Sequence, residues 1–336
     1  MSGQVAEKEL YHGARVVVLG ASGFIGRWVA RALWAQGAQV FLVVRNIDVA
    51  RKIFGQSIAE QNIVKADLRD AASVGTFFRK IRPAVTFNLA GYGVDRSEID
   101  AARADAINAQ LVKYVCEAIA QTRDVKWRGQ DIVHVGSAAE YGAVGGNLVE
   151  SSICRPTTFY GESKLAGTCL LTECCQTLGI KGVTARPFTV YGPGEHSGRL
   201  LPTLIDAAYS GIQIPLTAGN QKRDFTYVQD VVKGLLRLGV VREARAGEIV
   251  NLATGKLISV RDFAETAARV MKIPLDHLKF GAISPRADEM EHATVTVERL
   301  RQLISWTPPT EVEEGIKNTI SFVDAQMMKR RMDDGV

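Results

Sequence analysis

The chain has 336 residues, enough for one large core with a smaller appendage. Its hydrophobic fraction of 46% and charged fraction of 23% are those of an ordinary globular protein, and no apolar run approaches the roughly 20 residues of a membrane span, which argues against a membrane partner. The net charge of +5 comes from scattered basic residues rather than a stripe, which argues against nucleic acid and leaves small anionic ligands.

In chain order, residues 1–13 carry Glu7, Lys8 and Glu9 and lack the apolar centre of a secretory signal, so they read as a short leading arm. Beyond them apolar runs alternate with helical stretches. Residues 16–19, 40–44, 84–89, 132–135 and 183–185 read as buried parallel strands. Residues 27–36, 101–121 and 159–178 have helical periodicity, with Gly37 and Gly179 as stops. This alternation predicts an α/β fold built on a doubly wound parallel sheet. From Gly192 the pattern loosens, punctuated by Pro193, Gly194, Gly198, Pro202, Gly211, Pro215 and Gly219, while 248–252 reads as one more strand returning to the sheet. The five cysteines, Cys116, Cys154, Cys169, Cys174 and Cys175, are odd in number and lack CxxC spacing, so we expect reduced thiols, no metal and a cytoplasmic protein, with Cys174 and Cys175 packed on a helix face.

The first strand-to-helix junction carries the sharpest motif. Gly20-Ala21-Ser22-Gly23-Phe24-Ile25-Gly26 follows Val16-Val17-Val18-Leu19 directly, which predicts a phosphate-binding turn for a dinucleotide. One glycine lets the chain reverse, one lets backbone amides approach the pyrophosphate, and one lets the helix pack on the strand. At the end of the second strand, Val43-Val44-Arg45-Asn46 has no carboxylate for the ribose hydroxyls of NAD. Arg45 therefore favours NADP(H) over NAD(H), as a guanidinium for the 2′-phosphate, with a solvated strand-end residue as the alternative. Asp67 and Leu68, after the next strand, are candidates to frame the adenine; a helix cap is the competing role for Asp67.

Tyr160 and Lys164 are four residues apart and share one helix face. Ser137 lies just past the strand 132–135, at the carboxyl end of the sheet, where a bound nicotinamide would lie. An ammonium at Lys164 would lower the phenol of Tyr160 from its usual value of about 10. Tyr160 would then give a proton to a ketone oxygen that Ser137 holds, or take one from an alcohol in the reverse direction.

With these residues in hand, the chain resembles the extended short-chain dehydrogenase/reductase family, in particular its nucleotide-sugar branch of epimerases, dehydratases and ketoreductases. The likeness runs nearly end to end: Gly20 to Gly26, Asn88-Leu89-Ala90-Gly91, Gly136 to Gly142, Tyr160 to Lys164, Arg186-Pro187-Phe188-Thr189-Val190-Tyr191-Gly192-Pro193-Gly194, Arg223 to Asp230, and Trp306-Thr307-Pro308. The resemblance implies a Rossmann-like domain over 1–185 with the strand at 248–254, a discontinuous substrate domain over 186–247 and 255–326, and a tail over 327–336. It further implies cofactor contacts from Leu89, Ala90, Gly91, Asn108 and Pro187 as well as Tyr160 and Lys164. A homodimer would form through a four-helix bundle of the 101–121 and 159–178 helices. Arg223 matches the arginine that holds a nucleotide diphosphate, with Arg199 and Arg286 as further candidates. Two departures stand out. Ala139 replaces the acidic residue of the 4,6-dehydratases, which argues against dehydration; Glu140, on the other side of an extended segment, would not substitute for it. Thr189 stands where many members place a phosphate-binding asparagine.

These features lead to an expectation of NADPH-dependent reduction of the C4 ketone of a nucleotide-linked 4-keto-6-deoxy sugar. A redox-neutral 4-epimerase that keeps its cofactor is the rival within the fold, and a dinucleotide sensor without turnover is the rival outside enzymology.

Overall fold

The computed structural model describes residues 10–94, 97–142, 146–284 and 293–333. The first half alternates strand and helix: β1 (Arg15–Leu19), α1 (Phe24–Ala35), β2 (Gln39–Val44), α2 (Ile47–Phe54), β3 (Ile63–Lys65), α3 (Ala71–Ile81), β4 (Val85–Asn88), α4 (Ala101–Asp105), α5 (Leu111–Thr122) and β5 (Ile132–Val135). Then come β6 (Asn147–Leu148), α6 (Phe159–Leu178), β7 (Gly182–Pro187), β8 (Thr189–Tyr191), α7 (Leu200–Ser210), β9 (Ile214–Leu216), β10 (Lys222–Arg223), β11 (Phe225–Tyr227), α8 (Val228–Gly239) and β12 (Glu248–Leu252). The chain ends with β13 (Ile258–Ser259), α9 (Val260–Met271), β14 (Leu278–Phe280), β15 (Thr294–Val295), α10 (Glu298–Ile304) and α11 (Val312–Asp333).

Seven strands form one sheet in the order β12-β7-β5-β4-β1-β2-β3, every neighbouring pair parallel. The order reverses between β1 and β4, and it is there, beyond the carboxyl ends of the strands, that a doubly wound sheet leaves a ligand crevice. Strands such as Val16-Val17-Val18-Leu19 are fully buried because helices cover both faces. Each such side chain contributes roughly 1.5–3 kcal/mol by leaving water. Strand β12 lies beside β7, in register from Glu248 opposite Val183 to Leu252 opposite Pro187. The remaining short strands pair outside this sheet as β8 with β11, β9 with β14, β10 with β13 and β6 with β15. No helix among the described residues is long and apolar enough to cross a membrane.

Two helices depart most from the periodicity. Helix α1 starts three residues earlier than the expected 27–36, because Gly23 rather than Gly26 is its N-cap. The expected helix over 101–121 is divided by a π-helical turn at Ala106–Gln110. That turn carries Asn108, whose buried side chain is committed to partners outside the helix.

Candidate active site

The turn between β1 and α1 takes its shape from three glycines. Gly20 has φ of +74°, and a Cβ on it would come within 2.6 Å of the Leu89 carbonyl oxygen at the end of β4. A Cβ on Gly26 would come within 2.2 Å of the Gly20 carbonyl oxygen, so the helix can lie against the turn only without a side chain there. Gly23 caps α1 with no side chain to accept from the first-turn amides, and that turn carries no acidic residue. By contrast, Asn46, Asp70, Thr158 and Ser259 cap α2, α3, α6 and α9 with side-chain oxygens. Open amides at a glycine cradle suit a pyrophosphate, so the residues present fit a dinucleotide. Ser22, Phe24 and Ile25 are half-buried along the same turn.

Arg45 is exposed immediately after β2. Asp67 does not cap a helix: Asp70 caps α3, its carboxylate accepting from the Ala72 and Ser73 amides. The Asp67 carboxylate instead accepts from the Arg69 guanidinium at 2.8 and 3.0 Å, which holds it down at about 2. Leu68 is buried in the same apolar cluster as Val17, Leu19 and Val43. Leu89, Ala90 and Gly91 follow β4 beside Gly20, and Pro187 ends β7. Asn108 is fully buried, accepts from the Tyr92 amide at 3.0 Å and donates to the Tyr92 carbonyl and to Ser163 Oγ at 2.8 and 2.9 Å. It therefore binds the loop after β4 to α6 next to Lys164.

Ser137, Tyr160 and Lys164 are brought together at the end of β5. Thr158 caps α6 by accepting from the Gly161 amide, which sets Tyr160 and Lys164 on the face turned to the sheet. Lys164 Nζ donates to the Val135 carbonyl at 2.5 Å. Tyr160 lies near enough to Ser137 for that side chain to draw its phenol down, and Ser137 Oγ accepts from the Ala139 amide at 3.1 Å. The electrostatics differ from the expectation that Lys164 lowers the phenol. Burial raises Tyr160 to about 12, against the pull of Ser137 and of the Arg199 charge, while burial lowers Lys164 to about 8 despite Glu140. The ammonium is spent on a backbone carbonyl, and the phenol responds mainly to its loss of water.

Glu140 has a role that sequence reasoning missed, and residues 138–140 are a 3-10 turn rather than the extended segment expected there. Its carboxylate accepts from the Ser137 amide at 2.8 Å and from Arg186 Nε at 2.8 Å, with no exposed surface of its own. Burial raises this carboxyl, and Arg186, Ser137 and Lys164 draw it back. The signal was present as Ser137-Ala138-Ala139-Glu140, the spacing of a capping box. Tyr141 continues the lock, lying under the Arg186 guanidinium and donating to Asn251 Oδ1 at 2.6 Å.

The substrate candidates are spread over the second half. Thr189 is half-buried, its amide donating to the Asp224 carbonyl at 2.9 Å. Arg223 is half-buried in β10, and its neighbour Asp224 is held by Thr226, Thr254 and Gly255. Arg199 is the N-cap of α7 and pairs with Glu195, a second residue the sequence reading missed. Arg286 lies outside the described residues. Cys174 and Cys175 are buried on α6, as their helical positions suggested.

Comparisons with known proteins agree with this architecture. The NAD dependent epimerase/dehydratase family matches residues 16–253. A curated relative, dTDP-6-deoxy-L-talose 4-dehydrogenase (NAD(P)(+)) of Kitasatospora kifunensis, is 29% identical over 316 residues, covering 90% of this chain and 94% of its own. The UDP-N-acetylglucosamine 4-epimerase of Methanobrevibacter ruminantium M1, solved with UDP-N-acetylmuramic acid, superposes with a TM-score of 0.80 at 23% identity, covering 94% of this chain and 100% of its own. MoeE5, solved with UDP-glucuronic acid and NAD, has a TM-score of 0.78 at 25% identity and covers 93% of this chain and 99% of its own. With the glycine turn, the seven-stranded sheet and this match in agreement, the chain belongs to the NAD dependent epimerase/dehydratase family, as an NAD(P)-dependent enzyme of the extended short-chain dehydrogenase/reductase type.

Proposed function

We propose that the protein reduces the C4 ketone of a nucleotide-linked 4-keto-6-deoxy sugar with NADPH. The observation that carries this reading is the gathering of Ser137, Tyr160 and Lys164 at the end of β5, with Lys164 Nζ on the Val135 carbonyl and the Tyr160 phenol kept protonated by burial. A protonated phenol is a donor, which is what a carbonyl oxygen needs as it gains an electron pair. When bound, the dinucleotide supplies the hydride. Tyr160 Oη gives its proton to the carbonyl oxygen. Ser137 Oγ, already accepting from the Ala139 amide, has its own proton to donate to the same oxygen. Lys164, held by the Val135 carbonyl, places its ammonium for the ribose and keeps Tyr160 on the sheet-facing side of α6. Arg45 meets the 2′-phosphate, while Arg199 and Arg223 hold the substrate diphosphate and Arg286 is a further candidate for that anion. The turn Gly20 to Gly26, with Leu89, Ala90, Gly91, Asn108 and Pro187 behind it, carries the rest of the dinucleotide, and Asp67 with Leu68 borders the adenine. Residues 186–247 and 255–326 make the substrate domain, and two copies pair through the α5 and α6 helices.

The 4-dehydrogenase relative supports C4 redox chemistry on a dTDP-linked deoxysugar, and its NAD(P)(+) designation supports either coenzyme form. A redox-neutral 4-epimerase is the second reading, supported by the fold likeness to a UDP-sugar 4-epimerase. One experiment separates them: NADPH absorbance is followed against freshly made nucleotide-linked 4-keto sugars, with product stereochemistry read by NMR. Stoichiometric NADPH consumption is expected. Interconversion of sugar epimers by purified protein without added reductant would replace reduction with epimerisation.

A further inference from the structure

Glu195 lies next to the dinucleotide turn, four residues before Arg199. It follows the sharp turn Gly192-Pro193-Gly194, which is tied to α1: Trp28 Nε1 donates to the Pro193 carbonyl at 2.8 Å, and a Cβ on Gly194 would come within 3.0 Å of the Arg27 guanidinium. Arg27 in turn donates to the carbonyls of Gly23 and Ser22 at 3.1 and 3.2 Å. Glu195 therefore hangs from the turn we assign to the pyrophosphate. On its other side is Arg199, whose Nε lies 3.7 Å from Glu195 Oε1 and whose charge reaches the Tyr160 phenol.

The pair is lopsided. The carboxyl side chain is 7% exposed and the guanidinium 45%. Glu195 Oε2 has no hydrogen-bond partner. A buried carboxylate with one long ion pair and an unpartnered oxygen has lost water without full replacement, so its charged form is costly. Burial raises it to about 7, with Arg199 and the Gly192 backbone pulling it down. From the packed elements, the charged or titratable groups around it are Arg199 at α7, Arg27 of α1 beneath Gly194, the adjoining His196, and Tyr160 of α6 beyond Arg199.

We propose that Glu195 is a positioning residue for the substrate diphosphate: its carboxylate holds Arg199 at the mouth of the cleft in the free protein, then takes up one proton from solvent as Arg199 transfers to the phosphates. The inference rests on the nucleotide-sugar reading above. Two phosphate charges arriving beside a carboxylate disfavour its ionised form, so binding and protonation must favour each other reciprocally.

The test is calorimetric titration of the full chain with UDP-glucose and with dTDP-glucose, in buffers of different ionisation enthalpy. Both ligands are diphosphate diesters whose charge is constant around neutrality, so any proton taken up enters the protein. Wild type should take up roughly three quarters of a proton at pH 7.5, and its affinity should fall about tenfold between pH 6 and pH 8, both following from linkage to a group titrating near 7. Glu195→Gln, isosteric with the protonated acid, should bind without uptake and with a flat pH profile. Ligand binding with no proton uptake by wild type, or an unchanged pH slope in Glu195→Gln, overturns this inference and leaves the nucleotide-sugar reading standing. Absence of binding by either sugar nucleotide at every pH overturns that reading and this inference with it. The wild-type measurement decides the matter even if the variant does not fold.

Discussion

Tyr160 and Lys164 show burial acting in opposite directions on two neighbours, raising a phenol to about 12 and lowering an ammonium to about 8. The signs give a pH profile. Below about 8 both groups carry their protons; above it Lys164 loses its charge while Tyr160 remains a phenol. At saturating substrate, kcat for reduction should therefore hold level from pH 6 to about 7 and decline as Lys164 loses its proton around 8. Tyr160→Phe should lower kcat by about 10²–10⁴, the usual contribution of a placed acid, while a fluorescence titration finds a far smaller change in NADPH affinity. In the proposed reaction, coenzyme choice turns on Arg45. A guanidinium bonded to phosphate contributes about 1.5–3 kcal/mol, so Arg45→Asp should lower kcat/KM for NADPH by roughly 10–100-fold and leave that for NADH equal or higher. Equal losses with both coenzymes would remove Arg45 from that role.

The working elements are short connections at strand ends, each set by one close approach. Between β1 and α1 the decisive contact is Gly26 against the Gly20 carbonyl. A methyl group there must push the turn away from the helix. At about 1–3 kcal/mol for overpacking, Gly26→Ala should weaken coenzyme binding by roughly 10–100-fold in a direct titration, with the sheet intact by circular dichroism. Past β5 the equivalent device is the 3-10 turn Ala138–Glu140, which closes a capping box around Ser137 and anchors it through Glu140 to Arg186. The π-helical turn at Ala106–Gln110 does the same for the loop after β4, since Asn108 bridges Tyr92 and Ser163. Rigid strands thus support the candidate groups, and single-residue locks fix the turns that carry them.

At the scale of the whole molecule, the second half of the chain is tied back onto the sheet by buried polar residues. Asn251 of β12 receives the Tyr141 hydroxyl, and its own amide donates to Glu150 Oε1 at 2.9 Å. Asp224 joins β11 to the segment at residues 254–255 through Thr226, Thr254 and Gly255. Beyond one chain, pairing through α5 and α6 predicts a particle of twice the 36.6 kDa subunit mass by sedimentation equilibrium. A single-subunit mass at micromolar concentration would exclude that pairing. The sheet, the glycine turn and the Tyr160-Lys164 face were legible in the sequence because each depends on a spacing of two to seven residues, which backbone geometry alone interprets. The anchoring of Glu140 to Arg186 and the burial that sets the charge of Glu195 were not. Glu140 meets Arg186 across 46 positions of chain, and Glu195 acquires its properties from burial against elements far away in sequence. Local pattern determined which residues are candidates for the machinery; the tertiary structure alone decided how they are charged and oriented, because desolvation and long-range hydrogen bonds exist only once the chain is packed.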